Sequence, residues 1–190
     1  MGGLEEKNVL IIATAAHSKN LLRQLLVTLG ISRLTSVSET GEALSLLRLR
    51  FFDLVFCDEA VGRHSPAQFV RLLRSDLTTV NVVVPTVLVS SAAKFEKVRE
   101  WRDAGGNDVI VKPVSPEVIK LRIANLVLVP KAFITTKTFI GPDRRRAGDR
   151  RGADSRRPDA PDRRRGAPEN TVFAPLRPPV TRDDSDLVLE

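Results

Sequence analysis

Apolar residues in the first 130 positions follow two interleaved patterns. Short runs rich in β-branched side chains occupy residues 9–13, 34–37, 53–57, 84–89 and 108–111. Each has the length and continuity expected of a parallel strand buried on both faces. Between them lie segments with helical spacing, near 18–29, 40–49, 65–75, 93–104 and 115–127. Start and stop residues support several of these. Ser18 precedes the first, Ser38 or Thr40 opens the second, and Ser65-Pro66 and Ser115-Pro116 put a proline at the first helical position. Gly30 and the Gly105-Gly106 pair stand where helices should stop. Five such β–α units predict an α/β protein with a doubly wound, five-stranded parallel sheet and right-handed crossovers.

The pattern breaks after Val129. Residues 1–130 form the expected domain and residues 131–142 a linker, in which Phe133, Ile134, Phe139 and Ile140 could dock on the domain or add a short strand. Residues 143–165 are rich in arginine, and 166–190 read as a disordered tail holding Val172, Phe173, Leu176 and Leu187 among prolines and acids. Of the 30 basic and 23 acidic side chains, 16 and 13 lie before residue 131, a net of +3. The remaining 14 and 10 give the last 60 residues a net of +4. The basic balance therefore comes disproportionately from a part of the chain that buries little. One cysteine, Cys57, excludes an internal disulfide or a multi-cysteine zinc site. No apolar run approaches the ~20 residues of a membrane span, and the N-terminus lacks a signal-peptide pattern, so no membrane insertion and a cytoplasmic location are expected.

Ligand chemistry in such a sheet collects at the carboxyl ends of the strands. Those ends here present Ala13-Thr14, Asp58, Ser90-Ser91 and Lys112-Pro113. The set resembles the receiver domain of two-component response regulators, the CheY-like variant of the flavodoxin-like fold, over roughly residues 7–128. The resemblance implies a phosphoacceptor role for Asp58, with Ser90 and Lys112 touching the phosphoryl group. The family's Mg²⁺ is held by an acid pair after the first strand, and the matching positions here are Ala13 and Thr14. With only Asp58 and its neighbour Glu59 as carboxylates, weak Mg²⁺ affinity is expected. Val109 stands at the family's aromatic switch position. An ion pair between Asp58 and Lys112 that ties two loops together is therefore expected in preference to phosphorylation. Cys57 and Trp101 read as packing residues, and no nucleophile–base pair or nucleotide-binding glycine loop is present, so no enzymatic activity is expected.

Residues 143–165 contain ten arginines, five aspartates and no lysine. Arg-Arg-x-x-Asp occurs twice with a five-residue period, at 145–149 and 150–154, and is followed by Ser155-Arg-Arg-Pro-Asp159, the same period shifted by Ser155. Arg146 and Asp149, Arg151 and Asp154, and Arg156 and Asp159 form three Arg-x-x-Asp spacings. A guanidinium is a planar fork that can donate two hydrogen bonds to O6 and N7 of guanine and stack on a base, which an ammonium does poorly. A carboxylate accepts from N1–H and the exocyclic amine on guanine's other edge. Alternating the two types suits both edges of guanine, with Arg145, Arg150 and Arg157 free for phosphates or stacking and Gly148 and its small neighbours allowing close approach. Extended, residues 146–159 reach roughly 45 Å, ample to wrap one or two compact dinucleotides. A general polyanion binder gains nothing from five acids inside its basic stretch, so nucleic acid is not the expected ligand.

This usage is similar to the inhibitory-site motif by which cyclic di-GMP binds diguanylate cyclases. A receiver-like domain followed by Gly-Pro-Asp-Arg-Arg-Arg resembles the CheY-like cyclic di-GMP effectors, the Cle class. The resemblance implies a non-catalytic signalling adaptor. Its arginine segment binds cyclic di-GMP, and its receiver-like domain engages the flagellar motor switch, with recruitment to the flagellated pole or the motor. The alternatives are a single-domain response regulator phosphorylated on Asp58 and an RNA- or DNA-binding protein with a basic arm.

Overall fold

The computed structural model describes residues 4–92, 94–129, 131–136 and 139–144, together with the backbone of 171–173. Five parallel strands, β1 (Val9–Ile12), β2 (Leu34–Val37), β3 (Leu54–Asp58), β4 (Thr86–Ser90) and β5 (Asp108–Val111), form one sheet in the order β2-β1-β3-β4-β5. Helices α1 (Ala16–Thr28), α2 (Thr40–Leu49), α3 (Pro66–Ser75), α4 (Phe95–Asp103) and α5 (Pro116–Ile123) alternate with them, as the periodicity predicts. A π-helical turn, Ala124–Leu128, prolongs α5.

Alternation along the strands builds two cores. Leu10, Ile12, Val55, Cys57 and Leu88 face one side, where they meet Leu47 of α2, Phe69 and Leu73 of α3 and Trp101 of α4. Val9, Ile11, Leu54, Phe56 and Val89 face the other, against Leu22 and Leu26 of α1 and Ile119 and Ile123 of α5. Each fully buried aliphatic or aromatic side chain contributes ~1.5–3 kcal/mol, so these two layers hold the sheet between its helices.

Helix ends agree with the sequence in part. Ser65 and Gln68 form a reciprocal capping box at α3, and the Ser115 hydroxyl accepts from the Val118 amide at α5. The first two caps differ from expectation. Ala15 and Glu39 hold the N-cap positions of α1 and α2 without side-chain caps. Ser18 lies inside α1, where its hydroxyl accepts from Lys112 Nζ at 3.2 Å, and Thr40 hydrogen-bonds His64. Both hydroxyls are drawn away by tertiary partners. Gly105 follows α4 with φ +96°, the left-handed conformation that glycine alone adopts freely.

The expected linker is structured. Strands β6 (Phe133–Thr135) and β7 (Ile140–Pro142) pair antiparallel, and Asp143 N–H donates to Ala132 O at 2.7 Å. β8 (Thr171–Phe173) pairs with the other edge of β6, so a part of the expected disordered tail supplies a strand. Sequence analysis missed it because three residues are too few for a period to register, and the unpaired amides of β6 supply the template.

The β6–β7 hairpin sits at the amino ends of β4 and β5, centred on Arg74 of α3, which is only 3% exposed. Its guanidinium donates to Gly105 O (3.3 Å), Val82 O (2.7 Å), Val84 O (2.8 Å), Thr86 Oγ1 (3.3 Å) and Asn107 Oδ1 (3.2 Å). Phe133 lies across its face, 5.0 Å from ring centroid to guanidinium carbon. Burial pulls the Arg74 pKa down to about 9, which leaves it charged at neutral pH. A Cβ on Gly105 would meet Ile140 O at 2.4 Å, so the hairpin and the α4–β5 turn approach as closely as glycine permits.

Candidate functional site

The carboxyl ends of β3, β4 and β5 bring Asp58, Ser90 and Lys112 to the opposite end of the sheet from the hairpin. Asp58 is 2% exposed. Its Oδ2 accepts from Lys112 Nζ at 2.7 Å and its Oδ1 from the Ala60 amide at 3.1 Å. Lys112 also donates to Ser18, so one ammonium joins β5, β3 and α1. This is the loop-tying ion pair expected from the sequence.

Ser90 does not face Asp58. Its hydroxyl donates to Glu59 Oε2 at 2.8 Å and lies 2.9 Å from Ala92 O, while the Ser91 amide donates to Glu59 Oε1 at 2.6 Å. Lys97 of α4 reaches the same carboxylate at 3.4 Å. Glu59 entered the sequence reading only as a spare metal ligand. Here it turns from Asp58 and latches the β3–α3 turn to the start of α4. Burial alone would raise its pKa. Hydrogen bonds from Ser91, Ser90 and Lys97 outweigh that and push it down to about 2.

A carboxylate whose folded pKa lies below its ordinary value of 4.5 stabilises the fold fully above that value and loses its contribution as pH falls toward 2. Glu59→Gln is therefore expected to melt below the parent at pH 7, with the gap closing between pH 4.5 and 2. Melting curves across that range check it, and a gap independent of pH would contradict the assignment.

At the positions that match the family's acid pair, Ala13 is fully buried and offers no side-chain oxygen. Thr14 Oγ1 donates to Ser38 O at 3.1 Å and accepts from the Gly62 amide at 3.2 Å, which ties two loops together. The pocket thus presents one carboxylate, Asp58, already engaged by Lys112. Such a donor set does not fit Mg²⁺, a hard cation that takes oxygen ligands in an octahedron. Among the described residues, no group of three or more His, Cys, Asp and Glu could hold a metal ion.

Cys57 is fully buried, and its thiol pKa is driven up by burial and then by the charge of Asp58, which leaves it inert. Trp101 is buried too. Its Nε1 donates to Asp108 O at 3.0 Å, and the ring lies so close to Gly106 that a Cβ there would meet it at 2.2 Å. Val109 packs partly buried against the same core. Phe95, Val111, Val118 and Leu121 are exposed on α4, β5 and α5.

The candidate ligand-binding residues Arg145, Arg146, Gly148, Asp149, Arg150, Arg151, Asp154, Arg156, Arg157 and Asp159 lie outside the described residues. Their starting point is described. Arg144 Nη2 donates to Arg102 O at 2.6 Å, which also accepts from the Gly105 amide, and to Gly106 O at 2.9 Å, both just at the end of α4. Arg144, the residue before the repeat, thus lies beside the carboxyl end of α4, at the hairpin end of the sheet. Arg74 did not figure in the sequence reading, and Arg144 figured there only as part of the arginine-rich segment, not as a contact to the domain. Arg74 was detectable, since it continues the buried α3 stripe of Ala67 and Val70 at spacings of three and four.

No helix among the described residues is long and apolar enough to cross a membrane. The chain is 25% identical over 118 residues to the chemotaxis protein CheY of Pseudomonas aeruginosa, covering 62% of this chain and 94% of that protein. It is 24% identical over 115 residues to CheY-3 of Vibrio cholerae, covering 60% and 87%. Among solved structures, the receiver domain of the sensor histidine kinase PA1611 of Pseudomonas aeruginosa, which carries a magnesium ion in its active-site cleft, superimposes with a TM-score of 0.58 at 17% identity. The match covers 66% of this chain and 98% of that one. CheY4 of Vibrio cholerae gives 0.57 at 19% identity, covering 63% and 98%. The sequence profile of the response regulator receiver domain matches residues 9–124, more than half of the chain. With the strand order, Asp58 and Lys112 in agreement, this chain belongs to the response regulator receiver domain family.

Proposed function

We propose that this chain is a non-catalytic cytoplasmic signalling adaptor that binds cyclic di-GMP through the repeat at residues 145–159 of its arginine-rich segment and then engages the flagellar motor switch, tuning motility and surface attachment. The observation that carries the reading is the threefold Arg-x-x-Asp repeat without lysine, joined to a receiver domain. The state of the Asp58 pocket supports it. Ala13 and Thr14 replace the acids that a phosphoryl-transfer metal needs, and Lys112 already neutralises Asp58. Control by a bound ligand then takes the place of control by phosphorylation. The exposed Phe95, Val111, Val118 and Leu121 supply an apolar face on α4, β5 and α5 for a protein partner.

Because residues 140–144 pack on the domain, the informative truncation keeps them. Titration calorimetry with cyclic di-GMP is expected to show binding by the full chain and none by a chain ending at Arg144. Equal heats from both would overturn the assignment.

One observation favours a second reading, a regulator phosphorylated on Asp58: the carboxylate ends β3 in a chain whose residues 9–124 match the receiver domain profile. Beryllofluoride with Mg²⁺ separates the two readings, because a phosphoacceptor responds and the adaptor does not.

A further inference from the structure

Helix α4 is the least anchored helix of the domain. Trp101 is the only one of its nine residues that is buried, whereas α3 buries five of ten. Polar contacts at its two ends make up the difference. At the amino end, Glu59 accepts from Ser90 and Ser91 and pairs with Lys97. At the carboxyl end, Arg144 donates to Arg102 O and Gly106 O, where a cation also complements the helix dipole. Arg144 is fixed in turn by the hairpin, through the Asp143–Ala132 backbone hydrogen bond and the packing of Ile140 against Gly105. The next residue, Arg145, begins the arginine repeat.

We propose that Arg144 is the handle through which the arginine segment controls α4: tension or reorientation in the segment is passed through this one guanidinium to the carboxyl end of the helix. The exposed Phe95 lies at the other end of the same helix. Binding of a ligand by the segment thereby changes the face offered by α4. This coupling rests on the cyclic di-GMP reading, whereas the clamp itself does not.

Hydrogen exchange by mass spectrometry on the full chain tests both parts, with the fluorescence of Trp101, the sole tryptophan, as a second probe. Without ligand, Arg144→Ala is expected to raise exchange of the amides at 101–106 about fivefold over the parent, the effect of losing a charge-assisted contact at a helix end. Arg144→Lys, which keeps one donor, is expected to fall between. With cyclic di-GMP added, the parent changes its α4 exchange and Trp101 emission. Arg144→Ala binds the ligand within about threefold of the parent but shows neither change.

Unchanged exchange in ligand-free Arg144→Ala would overturn the clamp. A ligand response in Arg144→Ala equal to the parent's, or a parent that binds without any change at α4, would overturn the coupling. A parent that binds no cyclic di-GMP overturns the function proposed above and the coupling with it, while the ligand-free comparison still decides the clamp.

Discussion

Arg74→Met is expected to destabilise the domain by about 3 kcal/mol, the largest effect of any single substitution on its polar groups. Methionine fills much of the space and avoids burying a charge. It leaves the carbonyls of Val82, Val84 and Gly105 and the side chains of Thr86 and Asn107 without their shared donor. Each buried acceptor left unmade costs ~1–3 kcal/mol, with part of the sum offset because the guanidinium no longer has to be desolvated. Phe133 also loses the cation beneath its ring, so the hairpin loosens together with the α4–β5 turn. Urea unfolding checks this through a lower midpoint at an unchanged slope, and thermal melting through a drop of roughly 10 °C. Arg74→Lys should recover only part of the loss, since one ammonium cannot reach acceptors spread around a planar fork. A change within ~0.5 kcal/mol of the parent would mean that the socket is not a structural keystone.

The second large effect concerns the ligand. Replacing Arg146 and Arg151 together with lysine keeps the net charge and removes two planar forks. Cyclic di-GMP affinity is expected to fall by at least about tenfold, ~1.4 kcal/mol. Affinity for a single-stranded RNA without guanine, measured at the same salt, should hold within about twofold, because phosphate attraction counts charges rather than shapes. Asp149→Asn with Asp154→Asn moves the two ligands in opposite directions. Removing two negative charges strengthens RNA binding, whereas losing two acceptors for guanine N1–H weakens cyclic di-GMP binding. If lysine serves as well as arginine, or if both ligands respond alike, the segment is a general polyanion arm.

Much of the fold could be read along the chain because its determinants are local. The β-branched runs fell within two residues of the observed strands, and Ser65-Pro66, Ser115-Pro116, Gly30 and Gly105 marked helix ends that exist. Ser18 and Thr40 misled for one reason: a hydroxyl near a helix start can cap it or serve a distant partner. Lys112 and His64, 94 and 24 residues away, took them. The Asp58–Lys112 pair was foreseeable, since β3 and β5, with only β4 between them, end at the same edge of a parallel sheet. The turn of Ser90 toward Glu59 was not, because it depends on which carboxylate at the β3 end reaches the β4–α4 turn.

Taken by itself, the order of residues determined the five-stranded wound sheet, its two apolar faces, the residues at the strand ends and the arginine–aspartate repeat. These follow from periodicity and residue type, which act over a few positions. Only the tertiary structure decided that the linker, for which the sequence left docking or an added strand open, is a docked hairpin, that Arg74 is its buried anchor and that α4 is held between Glu59 and Arg144. The partners of Arg74 come from positions 82 to 133, and Gly105 meets Ile140 across 35 residues. Contacts of that kind exist only once the sheet has brought its edges together, and no local pattern encodes them.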